Sequence, residues 1–235
     1  MREYIPVEDH FDKTFAEKPD QNYAQIDFTS RALGPKDRVI VQSLLKYGIT
    51  NKKCLDVGPG TGRWLTFLQQ QTPSYLATID ISAESLQRCK HLCHKTQKAN
   101  IETEPFDFET DTFDVVISFE VLEHLLYSDN YLSEMFRVTK PGGMVLMSTP
   151  NIASLISRIR LLFGRLPVAI TSDPTHVRFF RQEDIRQLLK RYNLQPQFLP
   201  TSISLNLRKP KSKFRLPSFS TISTFDDSHV FCVHL

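Results

Sequence analysis

The sequence predicts an α/β fold, with a doubly wound, mostly parallel sheet and helices on both of its faces. Short segments rich in Val, Ile and Leu alternate with helix-like segments, and the first of them runs into a glycine-rich loop that opens a helix. This alternation is typical of βαβ units. Because such crossovers are almost always right-handed, the strands are expected to form one doubly wound sheet.

The elements follow one another in a regular order. Residues 1–34 are polar, with scattered aromatic residues, and 35–47 has the apolar spacing of an amphipathic helix that ends at Gly48. The next strand-like and helix-like segments are, in order, "CLDVG", 61–70, "YLATID", 83–98, "IETEPFD", "FDVVISF", 130–139 and "GGMVLMSTP". Two late strands, 194–205 and 229–235, have only a basic loop between them, so we expect an antiparallel hairpin.

Bulk properties restrict the classes of function. The 235 residues are 40% hydrophobic and 23% charged, which indicates one globular domain, and the formal charge of +3 gives no chain-wide argument for nucleic-acid binding. No apolar run approaches the roughly 18 residues of a membrane span. The N-terminus is too polar for a signal peptide. We therefore expect a cytoplasmic protein.

The four cysteines do not form a disulfide framework. Cys54 lies in an apparent core strand, and Cys232 lies near the end of the chain. Cys89 and Cys93 stand in "RCKHLCHKTQ" with two histidines, which makes a zinc site conceivable. A solvated helix face is the favoured interpretation.

The glycine loop "LDVGPGTGRW" lies between a strand and a helix, where glycines allow a nucleotide to approach the backbone. The dinucleotide fingerprint requires its third glycine at position 63, but that residue is Arg63 and the third glycine is Gly62. This favours a ligand other than a dinucleotide.

Two further strand ends carry groups that suit an adenosine. Asp80 ends the second strand, 24 residues after Asp56, where a carboxylate can accept both hydrogens of a ribose diol. Asp107 and Phe108 are expected to end the third strand, and they offer an acceptor for an amine and an apolar surface for a purine. The loop and these acidic residues together predict a site for an adenosine-containing ligand.

With these motifs, the chain resembles the class I S-adenosylmethionine-dependent methyltransferases. The resemblance covers roughly residues 35–192 and rests on "LDVGPGTG", "IDIS", "FDFE", "FDVVISFEVLEHL" and "KPGGMVLMSTPN". It implies a seven-stranded sheet of order 3-2-1-4-5-7-6, with strand 7 antiparallel.

The resemblance also implies residue roles. Asp56, Gly58, Gly60 and Gly62 would surround the methionine part of S-adenosyl-L-methionine. Asp80 and Ile81 would contact the ribose, and Asp107 and Phe108 the adenine. Phe119 would lie beside the methyl group, and Arg38 or, as a rival, Arg31 would also bind the cofactor. A single domain spanning 1–235 is expected, with an N-terminal cap segment and helix (1–50), a cofactor-binding core (51–150), a lid-like insertion (151–181), and a last helix with the hairpin (182–235).

The stretch "ISFEVLEHL" places Glu120, Glu123 and His124 directly after the fourth strand. On a helix these positions would share one face. The acids can simply complement the positive end of a helix, with His124 as a packed residue. Alternatively, His124 is a lone general base, or all three residues bind a divalent cation.

A fourth residue supports the metal hypothesis. His176 follows "MSTPN" and precedes a short aromatic run, and this FExxEH…STPN…His pattern resembles the ubiquinone-pathway O-methyltransferases and the small-RNA 2′-O-methyltransferases. The resemblance implies Glu120, Glu123, His124 and His176 as ligands. Mixed carboxylate and imidazole ligands suit Mg²⁺, Mn²⁺, Co²⁺ or Zn²⁺, and two imidazoles disfavour Mg²⁺.

Two basic segments concern partners. Residues 151–167 combine helical apolar spacing with three arginines, which is typical either of a lid helix packed on the sheet, or of an apolar substrate cover or membrane-surface helix. The run "LRKPKSKFRLP" is most simply a solvated loop, with phosphate contact as the alternative. A small-molecule or lipid-like acceptor is therefore favoured over RNA, and the sequence does not indicate the oligomeric state.

The sequence therefore predicts methylation of a hydroxyl, such as that of a catechol, with help from a divalent cation. The enzymatic alternative is metal-free N- or C-methylation with His124 or Glu120 as the base, and RNA 2′-O-methylation is less favoured. A cofactor-binding regulatory subunit is the non-enzymatic alternative.

Overall fold

A computed structural model describes residues 7–17, 28, 33–201 and 227–235 of the chain. Arg31 and the basic run "LRKPKSKFRLP" lie outside the described residues. Their predicted roles therefore stay predictions.

One seven-stranded sheet organises the chain, in the order β3-β2-β1-β4-β5-β7-β6. Neighbouring strands from β3 to β5 are parallel, and β7 runs antiparallel to both β5 and β6. The strands are β1 Lys53–Val57, β2 Tyr75–Asp80, β3 Lys95–Lys98, β4 Phe113–Phe119, β5 Thr139–Pro150, β6 Gln197–Leu199 and β7 Ser228–His234. The predicted fold class, strand order and closing hairpin are thus confirmed.

The third strand is not where the sequence predicted it. The helix expected over 83–98 ends early, because α4 covers only Ala83–Cys89 and a 3-10 turn follows. β3 is "KTQK", and the segment "IETEPFD" forms turns. Because β3 is a polar, partly exposed edge strand, it lacks the apolar run by which buried parallel strands are recognised.

Helices cover both faces of the sheet. They are α1 Val7–Glu17, α2 Pro35–Tyr47, α3 Arg63–Gln70, α4 Ala83–Cys89, α5 Asp129–Val138, α6 Leu155–Leu162, α7 Val168–Thr171 and α8 Gln182–Lys190. One apolar cluster joins α5 and α8 to one face of the sheet, and a second joins α2 and α3 to the other. This two-sided burial explains why β1, β4 and most of β5 are almost continuously apolar.

The insertion between β5 and α8 contains α6 and α7. Its two ends meet in a bridge between Asn151 and Phe180. Of the α6 residues, only Ser157 is buried, while Leu162 is 82% exposed and the following Phe163 is 75% exposed. The interpretation of 151–167 as a helix packed on the sheet is therefore wrong for α6, since its apolar side chains face outward.

No helix within the described parts of the chain is long and apolar enough to cross a membrane.

Candidate functional site

The glycine loop after β1 has a backbone that only glycine adopts easily. Gly58, Gly60 and Gly62 have φ values of 78°, 56° and 81°, in the left-handed region. A Cβ built on Gly58 would lie 2.4 Å from Cγ2 of Val121, which follows β4. The loop from the first strand therefore closely approaches the end of the fourth, as expected for neighbouring strands at a topological switch point.

Two buried carboxyl groups support this loop. Asp56 is 1% exposed, and its Oδ2 has no hydrogen-bond partner among the described residues. Burial, together with the nearby Asp80, raises the pKa of Asp56 well above its usual value. Asp80 accepts hydrogen bonds from the Ser82 amide at 2.9 Å and Ser85 Oγ at 2.8 Å. Burial raises its pKa, and these bonds oppose the rise.

The expectation that Asp107 and Phe108 end the third strand is wrong. The Asp107 carboxylate lies 2.8 Å from Nζ of Lys95, the first residue of β3, and its side chain is 79% exposed. Phe108 packs edge-on against Phe113, the first residue of β4. Both residues thus lie beside the amino ends of the strands, opposite the edge that carries the glycine loop.

Ala99 and Asn100 instead follow the carboxyl end of β3. The Ala99 amide donates to the Asp80 carbonyl at 3.0 Å, and Asn100 is exposed. The sequence did not indicate Asn100 as a residue beyond a strand end, because the strand before it was not recognised.

The three other predicted cofactor contacts differ in how close they lie to the strand ends and in how exposed they are. Ile81 directly follows β2 and is half-buried. Phe119 ends β4, but it is buried and its ring centroid lies 5.0 Å from that of Trp64. Arg38 lies on α2, and its guanidinium donates to the Leu33 carbonyl at 2.9 Å.

Glu123, His124 and His176 form a compact group. One ligand atom from each lies within 4.8 Å of the others, and the two imidazole rings are 4.8 Å apart between centroids. Glu123 is 1% exposed, and its Oε1 has no hydrogen-bond partner in the part of the chain that the structure describes. Burial and then the charge of Glu120 raise the pKa of Glu123 to about 8.

The Nδ1 atoms of both histidines are occupied by protein partners. Nδ1 of His176 lies 2.6 Å from the Ala169 carbonyl, which can only accept, so this nitrogen carries the hydrogen. Nδ1 of His124 lies 2.8 Å from Thr175 Oγ1, which donates its own hydrogen to Asp173. Both Nε2 atoms therefore keep a lone pair. Burial, followed by the charge of His176, lowers the pKa of His124.

Glu120 does not join this group. It has a left-handed φ of 56°, so it stands outside the 3-10 turn Leu122–His124 and does not share a helical face with Glu123 and His124. Its Oε1 accepts from Ser148 Oγ at 2.7 Å and lies 3.3 Å from Nζ of Lys36. Of the four predicted ligands, the structure thus brings three together and pairs the fourth with a lysine.

The cysteine-rich stretch is not part of such a group. Among the described residues, the cluster of possible ligands contains none of Cys89, His91, Cys93 and His94. Sequence reasoning did miss Asp173, Thr175 and Lys36, because their roles depend on turns and on the packing of α2 rather than on spacing.

Comparisons with known proteins agree with this geometry. A family model described as a methyltransferase domain matches residues 31–197. The mitochondrial ubiquinone biosynthesis O-methyltransferase of Mus musculus is 26% identical over 154 residues, which are 60% of this chain and 41% of that protein. The chloroplastic tocopherol O-methyltransferase of Arabidopsis thaliana is 32% identical over 127 residues, 48% of this chain and 36% of that protein. The chain therefore spans less than half of the length of each of these two relatives.

A solved structure extends the comparison to nearly the whole fold. The SAM-dependent methyltransferase from Archaeoglobus fulgidus has a TM-score of 0.62 at 16% identity, and the match covers 91% of this chain and 99% of that one. At this identity the likeness concerns the fold alone. Because the family model matches most of the chain and the strand order agrees with it, the chain belongs to the methyltransferase domain family, in the class I fold of S-adenosylmethionine-dependent methyltransferases.

Proposed function

We propose that this chain transfers the methyl group of S-adenosyl-L-methionine to a hydroxyl of a small or lipid-like acceptor, with a divalent cation bound by Glu123, His124 and His176. One observation supports this most strongly. The left-handed glycine loop and the cluster of possible ligands meet at one edge of the sheet, where Gly58 lies against Val121, two residues before Glu123. A methyl donor and an acceptor oxygen must be held in such proximity for transfer.

The residues of the loop side fit the cofactor. Left-handed glycines let a ligand approach the backbone without meeting a side chain, and Asp80, held by Ser82 and Ser85, lies at the end of β2, where a ribose diol is expected. Asn100 lies just beyond the carboxyl end of β3, the neighbour of β2, so we propose Asn100 as the adenine contact in place of Asp107. The sulfonium of the bound cofactor supplies the reactive methyl group.

The residues of the histidine side fit a cation of intermediate softness. Two Nε2 lone pairs and Glu123 Oε1, which has no hydrogen-bond partner among the described residues, make a three-ligand set. Such a set suits Mn²⁺, Co²⁺ or Zn²⁺ better than Mg²⁺. A bound divalent cation lowers the pKa of an acceptor hydroxyl and orients it. The protein's part is to hold the ligands through Thr175 and Ala169, with Glu120 nearby as a further carboxylate.

The metal-free alternative uses His124 as a general base. Its lowered pKa keeps it neutral near pH 7, and Nε2 can accept a proton while the Asp173–Thr175 pair orients the ring. A regulatory subunit that binds the cofactor without turnover is the non-enzymatic alternative.

The decisive experiment combines binding and turnover. We expect the protein to bind S-adenosylhomocysteine in calorimetry and to methylate a panel of small catechols, with activity lost after EDTA and restored by Mn²⁺ or Co²⁺. Glu123→Ala and His176→Ala should lose the Co²⁺ absorption spectrum but still bind S-adenosylhomocysteine. Turnover that survives chelation would favour the His124 base, and binding of S-adenosylhomocysteine without turnover of any acceptor would favour the regulatory subunit.

The outward face of the insertion favours a lipid-like acceptor. Exposed apolar side chains run from Leu155 to Val168, with Arg158, Arg160 and Arg165 among them. The carbonyl of the next residue, Ala169, accepts from Nδ1 of His176, so the exposed segment adjoins the cluster along the chain. A basic amphipathic segment of this kind can lie on anionic lipid. Sedimentation with phosphatidylglycerol vesicles should capture the wild type, while Leu162→Ser/Phe163→Ser should stay in the supernatant and phosphatidylcholine vesicles should capture neither.

A further inference from the structure

The N-terminal helix α1 is held by polar contacts across the carboxyl ends of the strands, where the candidate site lies. Asp12 Oδ1 lies 2.5 Å from Ser82 Oγ and 3.2 Å from the Glu84 amide, at the start of α4. Glu8 forms an ion pair with Lys98, the last residue of β3. Burial opposes the ionised Asp12, but the bonds from Ser82 and Glu84 and the charge of Lys98 keep its pKa below the usual value. α1 is thus held by charged contacts at the ends of β2 and β3.

An aromatic pair on α1 faces inward. Phe11 and Phe15 are one helical turn apart, so they share a face, and their rings are stacked with 6.2 Å between centroids. The Phe15 ring lies 3.5 Å from the position of a Cβ built on Gly60. The Phe11 ring meets the ring of His124 nearly at right angles, with 5.3 Å between centroids. The pair therefore reaches from the glycine loop to the histidine cluster.

This position is not ordinary core packing. Neither Phe11 nor Phe15 belongs to the two buried clusters of the described chain, and both are only half-buried. Phe15 instead contacts Gly60, which would bind the cofactor in the proposed function. Phe11 contacts His124, which would bind the cation.

We propose that α1 is the closing wall of the site, with Phe15 covering the cofactor on the glycine loop and Phe11 shielding the histidine cluster from water. This inference rests on the proposed function for the identity of the two ligands. A phenyl ring suits both positions, because it can face a positively charged sulfonium and because it excludes water from a site where charge is redistributed. Asp12, on the same helix, fastens the wall to the start of α4.

The test separates the two aromatic residues. Phe15→Ala should weaken binding of S-adenosyl-L-methionine about tenfold in calorimetry, as expected for loss of one aromatic contact with the sulfonium. Phe11→Ala should leave that affinity nearly unchanged but speed the reaction of His124 with diethylpyrocarbonate several-fold, followed by peptide mass spectrometry. Asp9→Ala, an exposed position on the same helix, is the matched control and should change neither quantity.

Further variants exclude simple misfolding. Phe15→Leu and Phe11→Leu keep an apolar cover and should retain most of the wild-type behaviour, with thermal unfolding measured for all. Tighter binding by Phe15→Ala would show that α1 competes with the cofactor and would overturn the proposal, as would unchanged His124 reactivity in Phe11→Ala. Failure of the wild type to bind S-adenosylhomocysteine would instead contradict the proposed function itself.

Discussion

The glycine-loop side and the histidine side of the sheet edge are assembled in different ways. On the loop side, Asp56 and the three glycines come from one strand–loop–helix unit, and Asp80 comes from the next strand. On the histidine side, Glu123 and His124 follow β4, whereas His176 comes from the insertion, some fifty residues later. The first is built by local chain geometry, and the second depends on tertiary contacts.

The contacts that hold the histidine side are specific hydrogen bonds. The Glu123 carbonyl accepts from the amides of Val177 and Arg178, which fastens the insertion to the 3-10 turn. Thr175 then orients the imidazole ring of His124, and the Ala169 carbonyl orients that of His176. We therefore expect backbone changes to disable the loop side, and changes to supporting side chains to weaken the histidine side by degrees.

The largest effect is expected at Gly58. In Gly58→Ala, the new Cβ would be forced against Val121 Cγ2, and displacement of the loop should weaken S-adenosylhomocysteine binding about a hundredfold. Gly142→Ala is the matched control, because Gly142 has nearly the same φ of 77° but nothing lies within 4 Å of its Cβ position. Both variants should lose about 1–2 kcal/mol of stability from the left-handed backbone, and Gly58→Ala should lose more because of the clash. Calorimetry and thermal unfolding measure the two quantities.

Relief of the clash checks this explanation. Val121→Ala removes Cγ2 and leaves Cβ, which is 3.7 Å from the Gly58 Cβ position, so the double variant should regain most of the affinity. Equal loss of affinity in Gly58→Ala and Gly142→Ala would contradict the steric account.

A smaller effect is expected at Asp173, which touches no ligand directly. Asp173→Ala removes the acceptor for Thr175 Oγ1, so the His124 ring loses its orientation and the affinity for Co²⁺ should fall about tenfold. S-adenosylhomocysteine binding should not change. Asp129→Ala, which removes a carboxylate paired with Arg191, is the control and should leave Co²⁺ affinity as in the wild type. Unaltered Co²⁺ titrations in Asp173→Ala would show that the bond chain does not support the cluster.

The same difference explains what the sequence could predict. The glycine loop, Asp80 and the four apolar strands could be recognised because their signals are local: left-handed glycines, strand ends and continuous apolar burial. The edge strand "KTQK" could not be recognised, since its side chains are only partly buried. Because this strand was not recognised, the adenine contact was expected at Asp107, which lies elsewhere.

On the histidine side, residue types were predicted but not their support. The pattern indicated His176 as a partner of Glu123 and His124, and the three do lie together. The left-handed φ of Glu120 and its ion pair with Lys36 depend on how α2 packs beside β4. No spacing in the sequence carries that information, because the two residues are more than eighty positions apart.

The last prediction concerns the pH dependence of folding stability, and it rests on a buried histidine outside the ligand cluster. His229 on β7 is 3% exposed, its Nε2 has no hydrogen-bond partner within the described residues, and burial lowers its pKa from 6.5 to about 4. The unfolded chain therefore takes up this proton first, so the stability from neutral His229 is complete above pH 6.5 and is lost as pH falls towards 4, by ~3 kcal/mol at most. The raised pKa values of Asp56 and Asp80 act in the opposite direction, since their protonated forms are favoured in the folded state. Urea unfolding at pH 7 and pH 4.5 measures how much free energy of unfolding is lost on acidification. This loss should be smaller in His229→Leu than in the wild type. His234→Leu, at an exposed position of the same strand, should lose as much as the wild type. If His229→Leu lost as much free energy of unfolding at pH 4.5 as the wild type, other groups would be responsible for the acid destabilisation.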